Sequence, residues 1–133
     1  MNIFDISIEY TDVVNLLGVT FDRTLCFNTH ISDICRKASK QLNVLKRFSS
    51  ILSAKNKLLV YTSFIISQFQ YCPVVWHFCR KSKIRMIEKI QERSMRFIYN
   101  DTSSSYVELL QKCNRNSLFV ASINAYAFKF LNL

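Results

Sequence analysis

One glycine and one proline in 133 residues restrict this chain more than any other feature. Sheet-rich domains need many turns. Turns use glycine for its access to positive φ and proline for its fixed φ. A chain with almost none of either is expected to run in long helices joined by short links. Half of the residues are apolar, enough for a core, and the length is that of one domain.

Asp5–Asp22, DISIEYTDVVNLLGVTFD, is the one strand-like region. Ile6 and Ile8 alternate with polar residues, and Val13, Val14, Leu16, Leu17, Val19 and Phe21 follow, rich in branched and aromatic types. Thr11-Asp12 is the candidate turn, and Gly18 reads as a bulge or close backbone approach inside the second strand. Helical spacing then takes over. A helix over Thr29–Phe48, capped by Asn28 or Thr29 with Asp33 near its start, puts Ile31, Ile34, Cys35, Ala38, Leu42 and Leu45 on one face. A second helix starts at Ala54 behind the cap Ser53 and runs to Cys72. It is apolar nearly all round, which predicts burial, and Pro73 breaks it. A third covers Ser82–Tyr99 with Ile84, Ile87, Ile90, Ser94, Phe97 and Ile98 inward. Asn100–Ser105 reads as a linker, followed by helices near Tyr106–Cys113 and Ser117–Leu131. The expected fold is mainly α, a bundle of four to five helices preceded by a short N-terminal β-hairpin.

The chain carries 18 Lys and Arg against 9 Asp and Glu, a formal charge of +9. The excess sits in the middle: Arg36 to Arg96 holds 14 bases and 2 acids, and the remainder nets −3. Bases spaced among apolar residues belong to faces of folded helices rather than to a disordered tail. Arg36, Lys40 and Arg47 line the outer side of the first long helix, and Arg85, Lys89, Arg93 and Arg96 that of the third. Two such stripes suit a phosphate backbone, whereas either alone is ordinary solvated surface. Both readings stay open on pattern alone.

Other chemistries fit less well. Cys72, His77 and Cys79 cluster, but structural zinc needs a second ligand pair, and Cys26, His30, Cys35 and Cys113 are scattered. Five cysteines without C-x-x-C, and no basic residue before Arg23, point to free thiols in an intracellular, nuclear or cytoplasmic protein that is not secreted. The uncharged stretch near 58–79 is long enough for a membrane span, yet Gln68, Gln70, Pro73 and His77 interrupt it, so a broken core helix is expected instead. The nine acids are dispersed, with none of the convergence that two-metal chemistry requires, and no catalytic residue or cofactor site is expected.

The order of segments resembles one family. NLLGVTFDRTLCFNTHI (Asn15–Ile31), KASKQLNVLKRF, LLVYTSFIISQFQYCPVVWHFC, RMIEKIQERSMRFIYND and SSSYVELLQK, closed by YAFKFLNL, together resemble the C-terminal part of the reverse transcriptase of non-LTR (LINE-type) retrotransposons. The resemblance implies an RNA-directed DNA polymerase whose Mg²⁺-binding aspartates belong to palm motifs upstream of this segment. Residues 1–27 would be the palm-edge hairpin, with Leu17, Gly18 and Val19 next to the primer grip. Residues 28–99 would be the thumb-like bundle and 106–133 a C-terminal helical segment. The partner implied is RNA/DNA template–primer duplex, held by the thumb, together with the palm and fingers of the parent enzyme. YCPVVW would be a helix-to-helix corner with Trp76 in the core. A small membrane-anchored protein and a folded, non-functional relic are the competing readings.

Overall fold

Residues 2, 3, 6, 7, 9–71, 75, 79–115 and 117 are described by the computed structural model of the chain. They fold as expected for the class: mainly helical, with antiparallel β-hairpins at the N-terminal end. Strands β1 (Asn2–Ile3) and β2 (Ile6–Ser7) form a minimal pair. The larger hairpin joins β3 (Val13–Leu16) to β4 (Val19–Asp22), with Leu16 opposite Val19. The turn is therefore Leu17-Gly18, not Thr11-Asp12, and Gly18 is a turn residue rather than a bulge. Both turn residues have positive φ, 50° and 78°, as a two-residue hairpin that follows the strand twist requires. Gly18 adopts this at little cost, whereas a leucine does not. The hairpin leans on the bundle through β4, where Val19 is buried, while β3 is exposed along its length.

A tight link carries the chain into α1 (Asn28–Arg47). Asp22 Oδ1 accepts from the Thr24 amide (3.0 Å), the Cys26 amide (3.2 Å) and the Thr24 hydroxyl (2.7 Å). The expected side-chain cap at Asn28 or Thr29 is not formed. Phe27 takes the cap position in a left-handed conformation, buried edge-on against Phe21 with ring centroids 5.5 Å apart. Packing of the aromatic ring fixes this end where a hydroxyl or amide cap was expected. Ile31, Ile34, Cys35, Ala38, Leu42 and Leu45 are buried as the spacing predicts, and His30 joins them.

The second rod consists of α2 (Ala54–Val60), a π-helical segment (Tyr61–Ile66) and α3 (Ser67–Gln70). Ser53 caps it by accepting from the Asn56 amide. Its chain turns extended at Tyr71, so no helix spans 58–79, and among the described residues none is long and apolar enough to cross a membrane. The expected all-round burial is also not observed. Tyr61, Ile65, Ile66 and Phe69 point inward, but Leu59 and Phe64 are exposed, because neighbouring helices cover the rod on only part of its circumference. The corner at Pro73 and Trp76 lies outside the described residues; between them Val75 is buried.

Helix α4 (Lys81–Tyr99) completes the core with Ile87, Ile90, Gln91, Ser94, Met95 and Ile98. Two contacts set its direction. Lys83 Nζ donates to Ser32 Oγ (2.6 Å), joining the starts of α4 and α1. Lys57 Nζ sits 4.7 Å over the Phe97 ring, joining the end of α4 to the start of the second rod. Helices α1 and α4 thus run parallel, with the rod returning antiparallel between their ends. The helix ends at Asn100, left-handed, whose amide and that of Asp101 close onto the Arg96 carbonyl, a common C-terminal stop. Helix α5 (Tyr106–Lys112) packs on α4 through Leu109 and starts in a capping box made by Ser105 and Glu108. The expected helix at Ser117–Leu131 lies outside the described residues.

Candidate nucleic-acid interface

On an α-helix each residue turns by about 100°, which places Arg36, Lys40 and Arg47 directly across α1 from its buried face. All three are exposed. Arg36 pairs with Asp33 at 2.8 Å. Lys40 and Arg47 form no ion pair with any described residue. Lys37, which the charge pattern did not single out, is exposed beside them.

The α4 stripe is more sharply defined. Arg85, Lys89 and Arg93 are exposed on the side opposite Ile87, Ser94 and Ile98. Both acids of this helix are already engaged. Glu92 takes the Arg96 guanidinium at 2.6 Å, and Glu88 accepts the Tyr106 hydroxyl. Arg85, Lys89 and Arg93 consequently form no ion pair with any described residue. Arg96 differs from the other three: it is partly covered, bound to Glu92, and donates to the Ser104 carbonyl at 2.9 Å. Its guanidinium holds the α4–α5 link and is less available to a ligand. Exposed Lys81 prolongs the stripe one turn N-terminally; the four-residue step from Lys81 to Arg85 was the signal for it.

Helices α1 and α4 meet through their buried faces, so each basic side points away from that contact. Leu17, Gly18 and Val19 separate: Leu17 is at the exposed tip of the hairpin, and Val19 is in the core. Tyr71 Oη donates to the Leu17 carbonyl at 2.7 Å, which ties the tip to the end of the second rod.

Among the described residues no three His, Cys, Asp or Glu side chains form a cluster. Cys72 and His77 lie outside them. Asp101 is fully engaged by the Ser103 and Ser104 amides, the Ser104 hydroxyl and the Lys112 ammonium. Cys26, Cys35, Cys79 and Cys113 are free thiols. Burial pushes Cys35 and Cys79 up to about 11, so both stay protonated at neutral pH. His30 is pushed below its ordinary value, first by burial, and is neutral.

Comparison with known proteins gives one curated relative. The chain is similar to the probable RNA-directed DNA polymerase from transposon X-element of Drosophila melanogaster, 29% identical over 99 residues, covering 71% of this chain. The aligned region spans only 11% of that polymerase. No family model matches the chain, and no solved structure matches it. The similarity supports a relation to reverse transcriptases of transposons.

Proposed function

We propose that this chain is the duplex-holding helical part of a LINE-type retrotransposon reverse transcriptase, corresponding to palm edge and thumb in its C-terminal region. The observation that carries the reading is the row Arg85, Lys89 and Arg93 on α4, left uncompensated because Glu88 and Glu92 are turned to other partners. It occurs in a chain similar to an RNA-directed DNA polymerase. The ligand is RNA/DNA template–primer duplex, bound through phosphates without sequence readout. Arg36, Lys40 and Arg47 add to the positive field that draws the duplex in. The exposed outer strand β3, with Val13, Val14 and Leu16 uncovered, supports contact with palm and fingers of the parent polymerase. Such a protein works inside the cell, in nucleus or cytoplasm.

The test is duplex binding by the full chain and by its Arg85→Glu, Lys89→Glu, Arg93→Glu variant. Arg96 is left intact because it holds the link to α5. Each phosphate neutralised contributes about 0.9 to the slope of log affinity against log salt on a B-form duplex. The parent should bind with a steep salt dependence, little affected by sequence. The variant should lose binding at low salt with helix content unchanged, since glutamate is a good helix former. Equal binding by the variant would reduce the stripe to solvated surface.

A further inference from the structure

The C-terminal half of α1 and the second rod leave an apolar groove of about 480 Å³ between them. Val44, Leu45 and Phe48 line it from α1, Val60 and Phe64 from the second rod, and Leu52 from the link between them. Val44, Phe48 and Phe64 are 52%, 51% and 59% exposed. Side chains of this size clustered on a surface mark a docking site. A trough between two helices, lined mostly by aliphatic groups, fits the apolar side of a third helix.

The surrounding charge selects among occupants. No Asp or Glu occurs anywhere between Asp33 and Glu88, so no acid in either wall element borders the groove. Lys40 and Arg47, both exposed, flank Val44 on α1. A second copy carries the same +9 and the same lysine- and arginine-rich rim, and is repelled. The chain's own C-terminal stretch offers no acid after Glu108. Arg115, just past α5, bonds the rod on another face: its guanidinium donates to the Thr62 hydroxyl at 3.0 Å, and Thr62 lies two residues from both Val60 and Phe64, positions with which it does not share a helix face.

We propose that this groove receives an amphipathic, acidic helix of a separate protein, its apolar side between Val44 and Phe64 and its carboxylates on Lys40 and Arg47. The site is distinct from the α4 stripe and does not depend on duplex binding.

The experiment uses the full chain and a labelled helical peptide with leucines at i, i+4, i+7 and i+11 and glutamates elsewhere. Two controls accompany it: the same leucines on a lysine background, and the same glutamates with serine replacing leucine. Fluorescence anisotropy should show the acidic leucine peptide binding at least about tenfold tighter than either control, since both apolar anchoring and charge are required. Val44→Ser with Phe64→Ser, both at exposed positions, should weaken it about tenfold with helix content and duplex binding unchanged. Equal binding of the lysine or serine peptide overturns the proposal. So does self-association abolished by the same two substitutions, which would assign the groove to a second copy. Competition by a single-stranded oligonucleotide whose own binding needs Val44 and Phe64 would assign it to nucleic acid. Peptide binding that emerges only after Phe119→Ser and Phe130→Ser would assign it to the chain's own C-terminal stretch.

Discussion

Asp101 is the residue on which the α4–α5 connection rests. Its carboxylate receives the amides of Ser103 and Ser104 at 3.0 Å each, together with the Lys112 ammonium. The ammonium, then the Ser104 hydroxyl, hold its carboxyl well below the usual carboxylate range. A carboxyl with a lower value folded than unfolded stabilises the fold above its unfolded value, about pH 4, and loses that contribution as pH falls through the folded value. Asp101→Asn should therefore lower the urea midpoint at pH 7 and flatten its decline below about pH 4. Parallel midpoint-against-pH curves for parent and variant would show that Asp101 adds nothing to acid sensitivity. Asn100–Ser105 reads from sequence as a linker, and that much was legible. The bonds that close it were not, because the partner Lys112 lies eleven residues on and no local pattern announces it. The positive φ at Leu17 is equally silent: leucine gives no turn signal, so only Gly18 hinted at the hairpin tip.

Helix boundaries were readable wherever a polar cap sets them. Ser53 and Ser105 both cap by side chain, and Ser105-x-x-Glu108 is the reciprocal box whose two groups satisfy each other's orphan amides. Ser105→Ala removes the acceptor for the Glu108 amide and should cost about 1 kcal/mol by urea unfolding. Ser105→Asp should restore most of it, as aspartate caps equally well. Equal stability of all three would mean that α5 is held by Leu109 and Tyr106 alone. The start of α1 was misread for the converse reason: Phe27 has no capping atom, and its position follows from the contact with Phe21 rather than from sequence. In the second rod the apolar run was plain, but the π-helical segment and the bare side at Leu59 and Phe64 follow from which neighbours cover it. That is a tertiary matter invisible to periodicity.

At the scale of the molecule, the mainly α class and the inner faces of α1 and α4 were legible because their apolar spacing matches the helical period. The relation between the stripes was not, since spacing fixes each face relative to its own helix and says nothing of where two helices point. Helices α1 and α4 meet through their buried faces, which turns each stripe away from that contact. On the proposed reading, a short duplex seated on α4 feels Arg36, Lys40 and Arg47 mainly at long range. Changing these three to Glu lowers the net charge from +9 to +3, which weakens attraction where screening is poor. The screening length is roughly 30 Å at 0.01 M salt and about 8 Å at 0.15 M. The α1 variant should therefore bind a short duplex more weakly than the parent at low salt and nearly as well at 0.15 M. The α4 variant should be defective at both, since it removes the proposed phosphate contacts themselves. A salt titration of the two variants on one duplex decides the matter. If α1 reversal is as damaging as α4 reversal at the higher salt, both helices grip the same nucleic acid, and the duplex must wrap the bundle rather than rest on α4.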